Sequence, residues 1–170
     1  MTRPEPDTEL GTIEPFDPFE PFKGMPTGAD PTVIGFHSPV QVRWSDMDAY
    51  QHINHARMVT LIEESRIPFL FVAGAPTAGM RTGLVVVEAT VRYREQIRHD
   101  EGPLDVLLFV ERLRAVDFTI GYEVRPRGVG LDRPAAVTAS TQLATFDIDA
   151  QRLRRITPDE RAYLGQWKRS

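Results

Sequence analysis

Within the stretch Arg43-Trp44-Ser45-Asp46-Met47-Asp48-Ala49-Tyr50-Gln51-His52-Ile53-Asn54-His55-Ala56-Arg57 stand two carboxylates, two imidazoles and an amide. An alternating apolar run precedes them and a helical pattern follows. A strand that ends in polar residues and turns into a helix sets side chains beside unpaired backbone N–H groups, whose partial positive charge suits a developing anion. A carboxylate there could attack an activated carbonyl, or take a proton from the water that does, while the helix amides hold the oxyanion. The plainer alternative is that Asp46 or Asp48 only caps the turn.

Other chemistries fit these residues poorly. Read as a calcium loop beginning at Asp46, the segment needs glycine at Gln51 and glutamate at Arg57. His52 and His55 could offer two zinc ligands, but no His-Glu-x-x-His pattern accompanies them, so no metal is expected. With no cysteine there is neither a disulfide framework nor a thiolate nucleophile. A Gly-x-Ser-x-Gly elbow and phosphate-binding glycine patterns are also lacking.

The elements that must position this stretch follow from periodicity. Val40, Val42 and Trp44 alternate with Gln41, Arg43 and Ser45, predicting a first strand over 37–44. From Asn54, a good N-cap, the period changes, with Met58, Leu61, Ile62 and Ser65 on one side, predicting a helix to about Val72. Pro68 predicts a kink or break between Arg66 and Pro68. A Gly/Pro loop follows. Four further strands are expected over 84–98, 104–114, 117–125 and 135–147, and Thr157, Pro158 and Glu160 signal a short C-terminal helix.

Residues 1–36 hold seven of the fourteen prolines, interleaved with Phe16, Phe19 and Phe22. They predict an extended arm that lays its aromatics on the domain or on a neighbouring subunit. Residues 37–170 make one domain, of class α+β: one long helix facing an antiparallel sheet. One helix cannot cover so much sheet, and a second copy of the chain is the simplest cover.

Composition narrows the setting. The fraction of apolar residues is 41%, that of charged residues 26%, and no run approaches the roughly 20 apolar residues of a membrane span. The opening residues lack the order of a secretory signal, so a cytoplasmic protein is expected. A net charge of −4 with scattered basic residues gives no nucleic-acid footprint; Arg152, Arg154 and Arg155 are the nearest candidate and read more simply as a solvated face.

The segment 42–57, with Asp46-x-Asp48, then His52-x-Asn54 and a small residue at Ala56, followed by Leu61-Ile62-Glu63-Glu64-Ser65-Arg66, resembles the hotdog-fold acyl-CoA thioesterases of the 4-hydroxybenzoyl-CoA thioesterase type. The likeness covers about residues 37–150. It implies a five-stranded antiparallel sheet wrapped round one long helix, with subunits joined sheet to sheet as a homodimer or tetramer and paired sites at the interface. It implies hydrolysis of an acyl-CoA to free acid and CoA, with no cofactor beyond the CoA of the substrate. By the same resemblance Asp48 is the catalytic carboxylate, as nucleophile or as base. His55, seven residues on, presents the amide that polarises the thioester carbonyl, Asn54 takes the family's Asn position, Glu63 rather than Glu64 is the helix acid, and His52 is structural. An apolar tunnel is expected to use some of Met58, Ile62, Phe69 and Val87, and CoA phosphates some of Arg92, Arg94, Arg98 and Arg125. The rival readings are a non-catalytic hotdog module that binds an acyl group or a protein, and an acyl carrier protein thioesterase. A hotdog hydratase fits less well, since its His and acid pairing is absent.

Overall fold

The computed structural model describes residues 28–29 and 33–169. The proline and phenylalanine motif around Phe16, Phe19 and Phe22 lies outside the described residues. In chain order the elements are β1 (Gly28–Ala29), β2 (Phe36–Val40), α1 (His55–Leu70), β3 (Leu84–Tyr93), β4 (Leu104–Leu113), β5 (Asp117–Arg125), β6 (Val137–Asp147), β7 (Arg152–Leu153) and α2 (Pro158–Gln166). All strand pairings are antiparallel, in the order β1-β2-β4-β5-β6-β3, with β7 added to β6. The five long strands are those expected; β1 and β7 are two-residue additions at the margins.

Two strands end earlier than their alternation predicted. β2 stops at Val40 because the Arg43 amide donates to Asp46 Oδ2 at 2.8 Å and the Asp46 amide to the Arg43 carbonyl at 2.9 Å, closing a turn over Trp44–Asp46. A local side chain thus outcompetes the ladder. β3 stops at Tyr93, after which the amides of Arg94 and Glu95 both turn onto the Ala136 carbonyl.

Asn54 caps α1 as expected, its side chain accepting from the Ala56 amide at 2.9 Å. The break expected between Arg66 and Pro68 does not occur: α1 runs on through Pro68 to Leu70. Proline there deprives only one carbonyl, near the helix end, and the next two residues, Phe69 and Leu70, are wholly buried. Phe69 packs against the rings of Phe36, Tyr163 and Trp167, and Tyr163 Oη donates to the Phe69 carbonyl at 2.7 Å. That cluster ties α1, β2 and α2 together and outweighs the lost bond. α2 begins with the predicted cap: Thr157 accepts from Glu160, and Glu160 returns to the Thr157 amide at 2.8 Å.

The core lies between α1 and one face of the sheet. Register places rows of side chains on that face: Tyr93, Val137, Val124 and Val106; then Val91, Ala139, Tyr122 and Leu108; then Ala89, Thr141, Ile120 and Val110. α1 packs over β2 and β4. Beyond it the β3 end stays uncovered, and Val85, Val86 and Val87 are each about half exposed. Among the described residues no helix is long and apolar enough to cross a membrane.

Candidate active site

The two aspartates of the motif part company in the fold. Asp46 is buried at 4% exposure, and its carboxylate closes the Arg43 turn while its carbonyl accepts from the Asn54 amide at 2.8 Å. It is a structural cap. Asp48 is half-buried; its Oδ1 accepts from the Tyr50 amide at 2.8 Å and the His52 amide at 3.1 Å. These bonds fix the carboxylate by one oxygen. The turn they brace carries Gln51 at φ 65°, a left-handed conformation uncommon for a side-chain-bearing residue.

Asp48 lines a cleft of about 360 Å³ with His52, Ile53, His55, Met58, Tyr93, Arg94, Glu95, Gln96, Ile97 and Val137. Three crossings build it. Met47 and Ile53 bridge across the Asp48 turn, His52 bridges to Arg98, and the Ile53 amide donates to the Ile97 carbonyl at 2.8 Å. The N-terminus of α1 opens into the same space. Its Ala56 amide is taken by Asn54, whereas the His55 amide has no acceptor among the described residues. Tyr93 Oη donates to the His55 carbonyl at 2.8 Å, which pins the first turn of α1 to the end of β3. Partial burial pushes the Tyr93 phenol up, so it stays a donor at neutral pH.

The cleft brings together Asp48, His52, His55, Met58 and Arg94. Asn54 stands beside it as the helix cap. Glu63 does not enter it: two turns and about 12 Å along the helix from His55, its exposed carboxylate pairs with Arg66 Nη2 at 2.7 Å. Glu64 likewise lies outside, 3.1 Å from Arg43 Nη1. Ile62 and Phe69 belong to the buried core rather than to the cleft wall, and Val87 lies on the open β3 margin.

Of the arginines, Arg94 lines the cleft, while Arg92 occupies a shallow depression with Thr90, Glu111, Thr138, Ala139 and Ser140. Alternation along β3 puts Arg92 on the sheet face opposite Tyr93. Arg98 is exposed and 3.6 Å from Asp100. Arg125 is buried, bound to Glu123 at 2.9 Å and to the Arg133 carbonyl, and so cannot meet a ligand at the surface. Among the described residues, no three His, Asp or Glu side chains gather as a metal site.

Sequence reasoning overlooked Tyr93, Ile53, Ile97 and Val137 as parts of the site. Tyr93 lies 38 residues from His55 and reads locally as one more alternating strand residue. Its role depends on sheet register and on the path of α1, for which no local signal exists.

An antiparallel sheet curled round one long helix defines the hotdog class of α+β proteins. The thioesterase-like superfamily model matches residues 42–164, and the chain belongs to that family. Among solved structures it resembles a predicted thioesterase from Bacillus stearothermophilus (23% identity, TM-score 0.67, covering 80% of this chain and 98% of that one). It also resembles the probable thioesterase YbaW from Escherichia coli (19%, 0.64, 77% and 97%). A third is a thioesterase from Thermus thermophilus complexed with coenzyme A and Zn (20%, 0.63, 75% and 95%). No curated protein matches the sequence.

Proposed function

We propose that the protein hydrolyses an acyl-CoA thioester to the free acid and CoA, with Asp48 as the reacting carboxylate. The observation that carries this reading is Asp48 itself, held by one oxygen on two backbone amides in a cleft that also receives the tip of α1. The thioester carbonyl sits against the His55 amide, which stabilises the oxyanion as it forms. In one route Asp48 attacks the carbonyl carbon, the C–S bond breaks and CoA leaves as a thiolate that takes a proton from solvent; water then hydrolyses the acyl–aspartate anhydride. In the other, Asp48 takes a proton from the attacking water and passes it to the thiolate as the C–S bond breaks. Met58 and Val137 supply apolar contact, and Arg94 meets the phosphates of CoA. Coenzyme A in the Thermus thermophilus relative supports CoA as the leaving group.

The active form in this reading is a homodimer joined at the β3 margin. β3 is the last strand of its sheet and shows apolar residues on both faces, so a second copy would cover what α1 leaves bare. A partner would also bring its own side chains toward Glu63, giving that acid a place in the site that a single chain does not.

The test is thiol release from a panel of short, long and aromatic acyl-CoAs by wild type and by Asp48→Asn. The amide keeps an acceptor for the Tyr50 and His52 amides, so fold and assembly persist while turnover falls by about 100-fold or more. Equal rates in the two proteins would remove Asp48 from the reaction.

A further inference from the structure

The acyl tunnel that the resemblance implied stops short in the fold. Of Met58, Ile62, Phe69 and Val87, only Met58 lines the cleft. The lining residues differ sharply in exposure. His55, Tyr93, Arg94, Glu95 and Gln96 are exposed and form the rim, whereas Met58, Ile53, Ile97 and Val137 line the same space while buried, so they form its floor. That floor is apolar throughout.

Packed core lies behind it. Ile62 follows Met58 by one turn on the same face of α1 and is buried, and Val137 stands in a row across the strands whose neighbours Val124 and Val106 are at most 1% exposed. Interiors packed at crystal-like density leave no room for a further run of methylenes. The way under the helix is shut at Met58. Toward β3, Val59 and Ala89 stay exposed at the margin where the second copy proposed above would lie; that copy would add a wall and leave the floor in place.

We infer that Met58 and Val137 are the end stop of the acyl site, and that the substrates are acyl-CoAs with short aliphatic chains of up to about seven carbons. The size follows from the cleft. A cavity of about 150 Å³ takes a six-carbon ring, so the cleft of about 360 Å³ takes roughly fourteen non-hydrogen atoms. The carbonyl oxygen, the sulfur and the first atoms of the pantetheine arm use about half of that room, and the acyl carbons take the rest. An aliphatic chain is favoured because the floor offers a polar acyl group no partner. This rests on the thioesterase reading above and names its substrate class.

The experiment measures kcat/KM for acetyl-, butanoyl-, hexanoyl-, octanoyl-, decanoyl- and dodecanoyl-CoA on the full-length protein, with Kd by calorimetry on Asp48→Asn. Each methylene laid on the floor is worth about fourfold, so wild-type values should climb to hexanoyl and fall by about tenfold or more at decanoyl, where the chain meets the core. Met58→Ala removes the side chain beyond Cβ, about three atoms of space, and should move the optimum to octanoyl or decanoyl. Val137→Ala should raise the octanoyl to hexanoyl ratio, and Met58→Leu, of similar volume, should keep the wild-type ranking. These readouts are ratios between substrates, so a smaller folded fraction in a variant cancels. A merely structural role for Met58 would lower all the values together. A wild-type optimum beyond hexanoyl, or a ranking unmoved by both alanine variants, would overturn the end stop. Should wild type cleave none of the esters, the hydrolase reading fails separately, and the Kd ranking decides the end stop by the same criteria; Kd values that do not distinguish the chain lengths overturn it.

Discussion

At the scale of single residues, Asp46 and Asp48 show how two identical side chains two positions apart take different work. Asp46 holds a backbone turn from inside the protein, so Asp46→Ala leaves the Arg43 amide unpaired and should lower stability by about 1–2 kcal/mol. Urea unfolding checks this, and activity should fall in parallel because the turn positions Asp48. Tyr93→Phe makes a sharper comparison. It removes only the bond to the His55 carbonyl, and in the proposed reaction it should reduce kcat more than it raises KM, since the helix tip that holds the oxyanion is no longer pinned. Equal effects on both constants would assign Tyr93 to substrate binding instead.

At the scale of elements, the caps of the two helices were plain in the sequence because capping is local chemistry. Asn54→Ala should weaken α1 by about 1 kcal/mol, measured by chemical denaturation. The α2 cap adds a pH dependence. Burial pushes the Glu160 carboxyl up, but hydrogen bonds from Arg154 and from the Thr157 amide outweigh it and hold the group below its ordinary value of 4.5. Glu123 behaves alike between Arg125 and Arg169. A carboxyl lowered by folding stabilises above its unfolded pKa, and that stabilisation is lost as pH falls through the folded value. Melting temperature should therefore drop on acidification below about pH 4.5, and Glu160→Gln should flatten that drop. A profile as steep in the variant as in wild type would remove Glu160 from the acid response. Pro68 taught the opposite lesson: its local propensity predicted a kink or break, and the helix is not broken there, running on to the buried Phe69 and Leu70.

At the scale of the molecule, the uneven cover of the sheet is the governing fact. α1 protects the β2 and β4 side, while β3 ends the sheet with three half-exposed valines. Val86→Lys should shift the assembly expected from this margin toward monomer, read by light scattering against a subunit mass of 19.2 kDa. If the partner contributes to the site, activity falls with it at low protein concentration and recovers at high. A variant that keeps the wild-type mass would place the subunit contact elsewhere.

What the sequence determined by itself is what short-range physics controls. Alternation fixed the five long strands, the Asn54 and Thr157 caps fixed the helix starts, and the motif around Asp48 and His55 marked the turn where they meet. What only the tertiary structure decided is which of these residues share one space. Arg92 and Arg94 are equivalent in a linear reading, yet the pleat sends one to the far face while the end of β3 brings the other into the cleft. Glu63 was drawn toward the site by motif, but about 12 Å of helix separates it from His55 within one chain. Tyr93 gave no signal at all, because its partner arrives from another element through register and helix placement, a long-range contact that no local pattern encodes.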